Sequence, residues 1–103
     1  MRTIGMFREI YGDKYPPFSE CVSREPIEGK AEILTYLRTG ETVAVAAGFF
    51  RDIFTRELIK DEARWQTDGV FDWRSDTAYY VERYNMALPE AFVAHVHRIN
   101  RVK

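Results

Sequence analysis

Residues 63–73 read Ala63-Arg64-Trp65-Gln66-Thr67-Asp68-Gly69-Val70-Phe71-Asp72-Trp73, an Asp-Gly turn signal between two aromatic segments, and the way this stretch folds back decides the architecture. A two-residue loop of Asp68-Gly69 sets Thr67 opposite Val70 and Trp65 opposite Asp72, which scatters the large rings over both faces. A three-residue loop, Thr67-Asp68-Gly69 with Gly69 left-handed in a bulge, pairs Gln66 with Val70, Trp65 with Phe71, Arg64 with Asp72 and Ala63 with Trp73. The second register gathers Ala63, Trp65, Phe71 and Trp73 on one face and leaves an opposite-charge pair on the other. It is the register the sequence favours.

Upstream, Thr42-Val43-Ala44-Val45-Ala46-Ala47 alternates β-branched and small residues between Gly40 and Gly48, and predicts a strand over about 42–47. The alanines between the valines leave room for close packing on that side. Residues 49–62 are ambiguous. Phe50, Phe54 and Leu58 recur every four residues, whereas Arg51-Asp52 and Thr55 mark a turn, and the expectation is a partly helical segment. Nearer the start, Ile4, Phe7 and Tyr11 predict a short helix ended by Gly12, and Pro17 opens another turn that carries Phe18, Cys21 and Val22. Pro26 begins a longer helix, striped with Ile27, Ala31, Leu34 and Leu37, widened by Ile33 and Tyr36, and ended at Gly40. Downstream, Ser75 caps a helix to about Asn85 along Ala78, Val81 and Tyr84, and Pro89-Glu90 opens a last helix striped with Phe92, Val96 and Ile99. The sum is an α+β domain spanning 1–103. A small antiparallel sheet, built from the strand at about 42–47 and the hairpin at about 63–73, packs with N-terminal helices and two C-terminal helices.

Composition narrows the function classes. Leu, Ile, Val and Phe make up about a quarter of the 103 residues, above the level at which disorder is expected. Fifteen Lys and Arg stand against 16 Asp and Glu, so the formal charge of −1 offers no global attraction to nucleic acid or anionic lipid. The longest apolar run, Val43–Phe50, is far too short to span a membrane. Cys21 is the single cysteine, so no intramolecular disulfide is available and a reducing, cytoplasmic setting is the expectation. The basic residues Arg98, Arg101 and Lys103 read as a solvated helix end complementing the helix dipole.

Catalytic and metal motifs are sparse. His95 and His97 are two apart on a helix, so their rings diverge by about 200° and cannot share a metal ion. His95 is expected on the Ala91 side of that helix and His97 in solvent, with no metal and no cofactor. Cys21 has no neighbouring base in a known pattern and reads as a small buried hydrophobe. Among the acids Asp52, Asp61, Asp68, Asp72 and Asp76, no pair stands out, and Asp68 and Asp76 have turn and helix-start explanations.

What remains is an aromatic surplus, with Trp65, Phe71, Trp73, Tyr79, Tyr80 and Tyr84 inside twenty residues. Either these rings are core, with hydroxyls reaching water, or some stay exposed as a partner-binding patch, for which Trp73, Tyr79 and Tyr80 are the candidates. The pattern Trp65-x-Thr67-Asp68-Gly69-x-x-x-Trp73-x-x-Asp76-x-x-Tyr79-Tyr80-x-x-x-Tyr84, followed by Leu88-Pro89-Glu90-x-Phe92-Val93, resembles one in small bacterial proteins, many of them actinobacterial, that have no known activity. The resemblance implies a bacterial single-domain protein and transfers no functional residue. The leading expectation is a non-catalytic protein-interaction or regulatory module, by analogy akin to small immunity or inhibitor proteins, with its oligomeric state open. The alternative is a small-ligand or enzymatic domain with a cleft near Gly48–Asp52 that uses Arg51 and Asp52.

Overall fold

The computed structural model describes residues 2–102, with side chains through Asn100. The side chain of Arg101 and the whole of Lys103, both in the basic tail, lie outside the described residues. In chain order the elements are β1 (Arg2–Thr3), α1 (Arg8–Tyr11), α2 (Phe18–Cys21), α3 (Lys30–Arg38), β2 (Glu41–Arg51), β3 (Leu58–Thr67), β4 (Phe71–Arg74), α4 (Thr77–Tyr84) and α5 (Glu90–Val102). The fold class is α+β, as the alternation of patterns predicts. The sheet runs β1-β4-β3-β2; β2, β3 and β4 are antiparallel neighbours, while β1 pairs in parallel with β4 through Arg2 opposite Phe71 and Thr3 opposite Asp72. The opening stretch is therefore a strand before it is a helix, and the helix shrinks to α1, ended by Gly12 at a φ of 106° as expected.

The β3–β4 hairpin takes neither register considered from the sequence. Thr67 pairs with Asp72, Gln66 with Trp73 and Trp65 with Arg74, and the Asp68 amide donates to the Phe71 carbonyl at 3.2 Å. The loop is thus the pair Gly69-Val70, with Gly69 supplying the positive φ of 93° that its first central position demands. Asp68 is the cause. Its Oδ1 accepts the amides of Val70 at 2.9 Å and Phe71 at 2.7 Å, and its Oδ2 accepts the Tyr36 hydroxyl at 2.5 Å and lies 3.0 Å from His95 Nε2. A carboxylate held by α3 and α5 is fixed at the strand end and cannot ride on the turn tip. The register then puts Phe71 and Trp73 on one face and turns Trp65, opposite Arg74, to the other.

Phe71 and Trp73 join Ile33 and Leu37 of α3, Tyr80 and Val81 of α4, Phe92 and Val96 of α5, and Phe7 and Phe18 in one buried cluster. Trp73 is wholly buried and its indole N–H donates to the Leu37 carbonyl at 3.1 Å, so the ring closes the C-terminal turn of α3. On the opposite face the Arg74 guanidinium stacks 3.8 Å over the Phe50 ring, within reach of Tyr11 at 5.5 Å, and pairs with the buried Asp76 at 2.8 Å.

Three boundaries move for local reasons. The third helix begins after Gly29 and not at Pro26, because Gly29 is left-handed at a φ of 67°. Ser75 does not cap α4; its hydroxyl bridges to β3, accepting the Arg64 amide at 3.1 Å and donating to the Glu62 carbonyl at 3.0 Å, and Asp76 precedes the helix instead. Residues 49–62 are not helical. They form the end of β2, a turn and the start of β3, so the four-residue recurrence of Phe50, Phe54 and Leu58 is coincidental.

Gly40, between α3 and β2, approaches the core most closely: a Cβ there would meet Trp73 Cζ2 at 2.6 Å and the Gln66 Cβ at 3.3 Å. Gly40→Ala is expected to destabilise the domain by about 1–3 kcal/mol through overpacking, read as a lowered urea midpoint with an unchanged slope.

Candidate functional site

The structure places the sequence-derived candidates in two groups. Trp73 and Tyr80 are core residues. The Tyr80 hydroxyl accepts the Ile53 amide at 3.2 Å and donates toward the Arg51 carbonyl at 3.4 Å, so it faces the β2–β3 turn and not a partner. Tyr79 is half-buried and its hydroxyl is engaged. The aromatic surplus is therefore chiefly interior, and these rings are not an open patch.

Arg51 and Asp52 part company. Arg51 is exposed and donates to the Arg56 carbonyl at 2.9 Å, closing the turn. Asp52 is completely buried. Its Oδ1 accepts the amides of Phe54 at 2.8 Å and Thr55 at 3.2 Å, and its Oδ2 accepts the hydroxyls of Tyr79 at 2.7 Å and Tyr84 at 2.6 Å. Arg83 lies 3.8 Å from the same oxygen and donates to Tyr79 Oη at 2.6 Å and to Glu57 at 3.1 Å. Burial pushes the Asp52 carboxyl upward, but the two hydroxyls and two amides outweigh it and hold the group at about 2. Burial and donation to that carboxylate push Tyr84 up to about 12. Every lone-pair direction of Asp52 is thus committed to clamping the hairpin turn onto α4. At Asp52, within the segment where the sequence suggests a cleft, the carboxylate is buried and ties the turn to α4.

The half-buried Tyr36–Asp68–His95 cluster is committed in the same way. Asp68 binds as described above, and His95 Nδ1 lies 3.1 Å from an Arg98 guanidinium nitrogen, so both ring nitrogens are partnered. His95 is buried against Tyr36 and Phe71 and is not merely on the Ala91 side of its helix. His97 lies 3.4 Å from Glu32 in an open groove lined by Ile27, Glu28, Gly29 and Val93, where Asn100 also donates to Glu32. Among the described residues, no group of three or more His, Cys, Asp or Glu is placed to hold a metal ion. Cys21 is half-buried, its thiol 3.6 Å from the Pro17 carbonyl, and burial pushes its pKa upward, away from the thiolate.

The uncommitted chemistry lies on β2. This strand is longer than expected, running through Arg51, and it ends the sheet, so one of its edges carries β3 and the other has no strand beside it among the described residues. All its residues except Phe50 are exposed, among them Val43 (58%), Val45 (61%) and Phe49 (54%). Leu58, opposite Arg51 on β3, and Phe54 in the turn extend the apolar surface. Between Glu41 and Arg51 there is no charge and no proline, two of the usual means of blunting an open edge, and β-bulges are the one such device the strand carries. The strand is bulged, with register shifts at Thr42/Ala44, Val45/Phe49 and Phe49/Arg51 and a left-handed Gly48 at a φ of 86°. The alternation of valine with alanine and glycine allows close approach by another backbone, but an apolar run of this kind fits burial in a core equally well, so the sequence does not mark the strand as an open edge.

The chain matches no family model, no curated protein and no solved structure. No helix among the described residues is long and apolar enough to cross a membrane.

Proposed function

We propose that this protein is a non-catalytic interaction module that engages a protein partner by adding a strand to the open edge of β2. The observation that carries the reading is the 11-residue edge strand itself, apolar and uncharged between Glu41 and Arg51 and exposed at every position but Phe50. Exposed apolar edges recruit extended chains, because main-chain hydrogen bonds supply affinity and alternate side chains supply selectivity. The polar clusters that could suggest chemistry, around Asp52 and Asp68, are internally satisfied, which removes support from an enzymatic reading based on Arg51 and Asp52.

The test is site-specific photo-crosslinking in the producing cell with the probe at Val43 or Val45, and in parallel at exposed Thr35 on α3. Cross-links to protein confined to the β2 probes, and lost when Val45→Lys is combined with the Val43 probe, are expected. Val45→Lys itself should change stability by no more than about 0.5 kcal/mol, since the side chain is exposed. Cross-links from Thr35 with none from β2 would refute the reading.

A further inference from the structure

Resting on the reading of β2 as an interaction edge, we infer that its occupant is a second copy of this chain, paired antiparallel about a two-fold axis at Ala46. The charge order along the strand selects this occupant. β2 opens on Glu41, closes on Arg51 and is uncharged over the nine residues between. Antiparallel self-pairing centred on Ala46 sets residue 41 of one copy against residue 51 of the other, so each Glu41 meets an Arg51 at both ends of the ribbon. Val43 then lies against Phe49 and Ala44 against Gly48, while Val45 faces Ala47 and Thr42 faces Phe50, so every position between the charged ends is uncharged. A parallel arrangement in the same register would set Glu41 against Glu41 and Arg51 against Arg51, placing like charges together at both ends.

Self-pairing is also the solution that closes. An edge strand pairing with its own copy around a two-fold covers the β2 edge of both copies at once, whereas head-to-tail addition leaves a β2 edge exposed at each step. β2 carries register shifts at Thr42/Ala44, Val45/Phe49 and Phe49/Arg51, so the ladder with the partner copy is interrupted beside the axis and within each arm, and pairing is carried by short segments on either side of a twisted centre.

The experiment follows mass by sedimentation equilibrium from micromolar to millimolar protein at low and high salt, with four chains: wild type, Glu41→Lys, Arg51→Glu and the double reversal. The wild type is expected to reach twice the monomer mass. Each single reversal should weaken association about tenfold at low salt, and the double reversal should restore it, because opposite charges then face each other again at both ends of the ribbon. Both sites are exposed and Arg51→Glu loses only the solvent-exposed bond to the Arg56 carbonyl, so circular dichroism is expected to show the same fold in all four chains. A second measurement uses Ala46→Cys in a Cys21→Ser background. Directly opposed residues of an antiparallel pair lie within disulfide reach, so oxidation should yield a covalent dimer, while Thr35→Cys in the same background should not. A protein that stays monomeric throughout overturns the inference. So does a dimer indifferent to both charge reversals and not trapped through Ala46→Cys. Photo-crosslinks from β2 to a different chain in either case would leave the interaction reading standing while refuting self-pairing. Loss of both the dimer and the β2 cross-links would refute both.

Discussion

Trp73→Ala is expected to cost about 3–5 kcal/mol, the range for emptying a large aromatic site in a packed core. The ring is completely buried, lies 5.6 Å from the Phe92 ring and 6.2 Å from Tyr36, and bonds the Leu37 carbonyl. Truncation therefore opens a cavity between the sheet and two helices and orphans a carbonyl at the end of α3. For a domain near 100 residues this corresponds to a melting temperature lower by about 15 °C or more. Two comparisons separate the contributions. Trp73→Phe keeps most of the volume but loses the N–H, and should fall well short of the alanine effect. Trp65→Ala removes a half-buried ring from the opposite face and should also cost less. A Trp73→Ala chain melting within a few degrees of wild type would contradict the packing described.

Asp52→Ala is the second large effect, about 3 kcal/mol, because it leaves two tyrosine hydroxyls and two turn amides without their common acceptor. Its pH signature is specific. The folded-state pKa, about 2, lies below the ordinary value of 3.8, so the unfolded chain binds this proton more tightly. The stabilisation is complete above about pH 4 and is lost as pH falls towards 2. Melting temperature measured from about pH 5 to pH 2 should drop steeply in the wild type and less steeply in Asp52→Asn. Asp68, held low against its burial by the Phe71 amide, Tyr36 and other donors, keeps some slope in the variant. Asp76 acts in the opposite sense, since burial raises its pKa and its contribution fades as pH rises. Equal slopes in wild type and Asp52→Asn would show that this carboxylate does not govern acid stability.

The contrast between these two residues shows what is legible in the sequence. Trp73 lies in a segment whose strand character, turn and aromatic content are all local, and the hairpin can be read for that reason. Its register cannot, because the deciding atoms are the Tyr36 hydroxyl and the His95 ring, 32 and 27 residues away from Asp68. Asp52 stands out as half of an Arg-Asp pair in a turn-like setting, yet its role depends on Tyr79 and Tyr84 from α4, which no spacing rule connects to it. Helix signals hold at Gly12 and Pro89, and fail at Pro26, where the left-handed Gly29 delays the helix, and at Ser75, whose side chain is claimed by β3. The open edge of β2 is the least visible feature. An apolar run predicts burial, and only the sheet order reveals that no strand covers this one.

The parallel pairing of β1 with β4 has a consequence for how the chain is made. Arg2 must wait for Phe71, so the growing polypeptide emerges with the β2–β3 hairpin able to form while the slot beside β4 is still empty. Until β4 pairs, β3 is itself a border of the nascent sheet, and the border it leaves is taken over by β4 and then by the two-residue β1, a far shorter edge than β2.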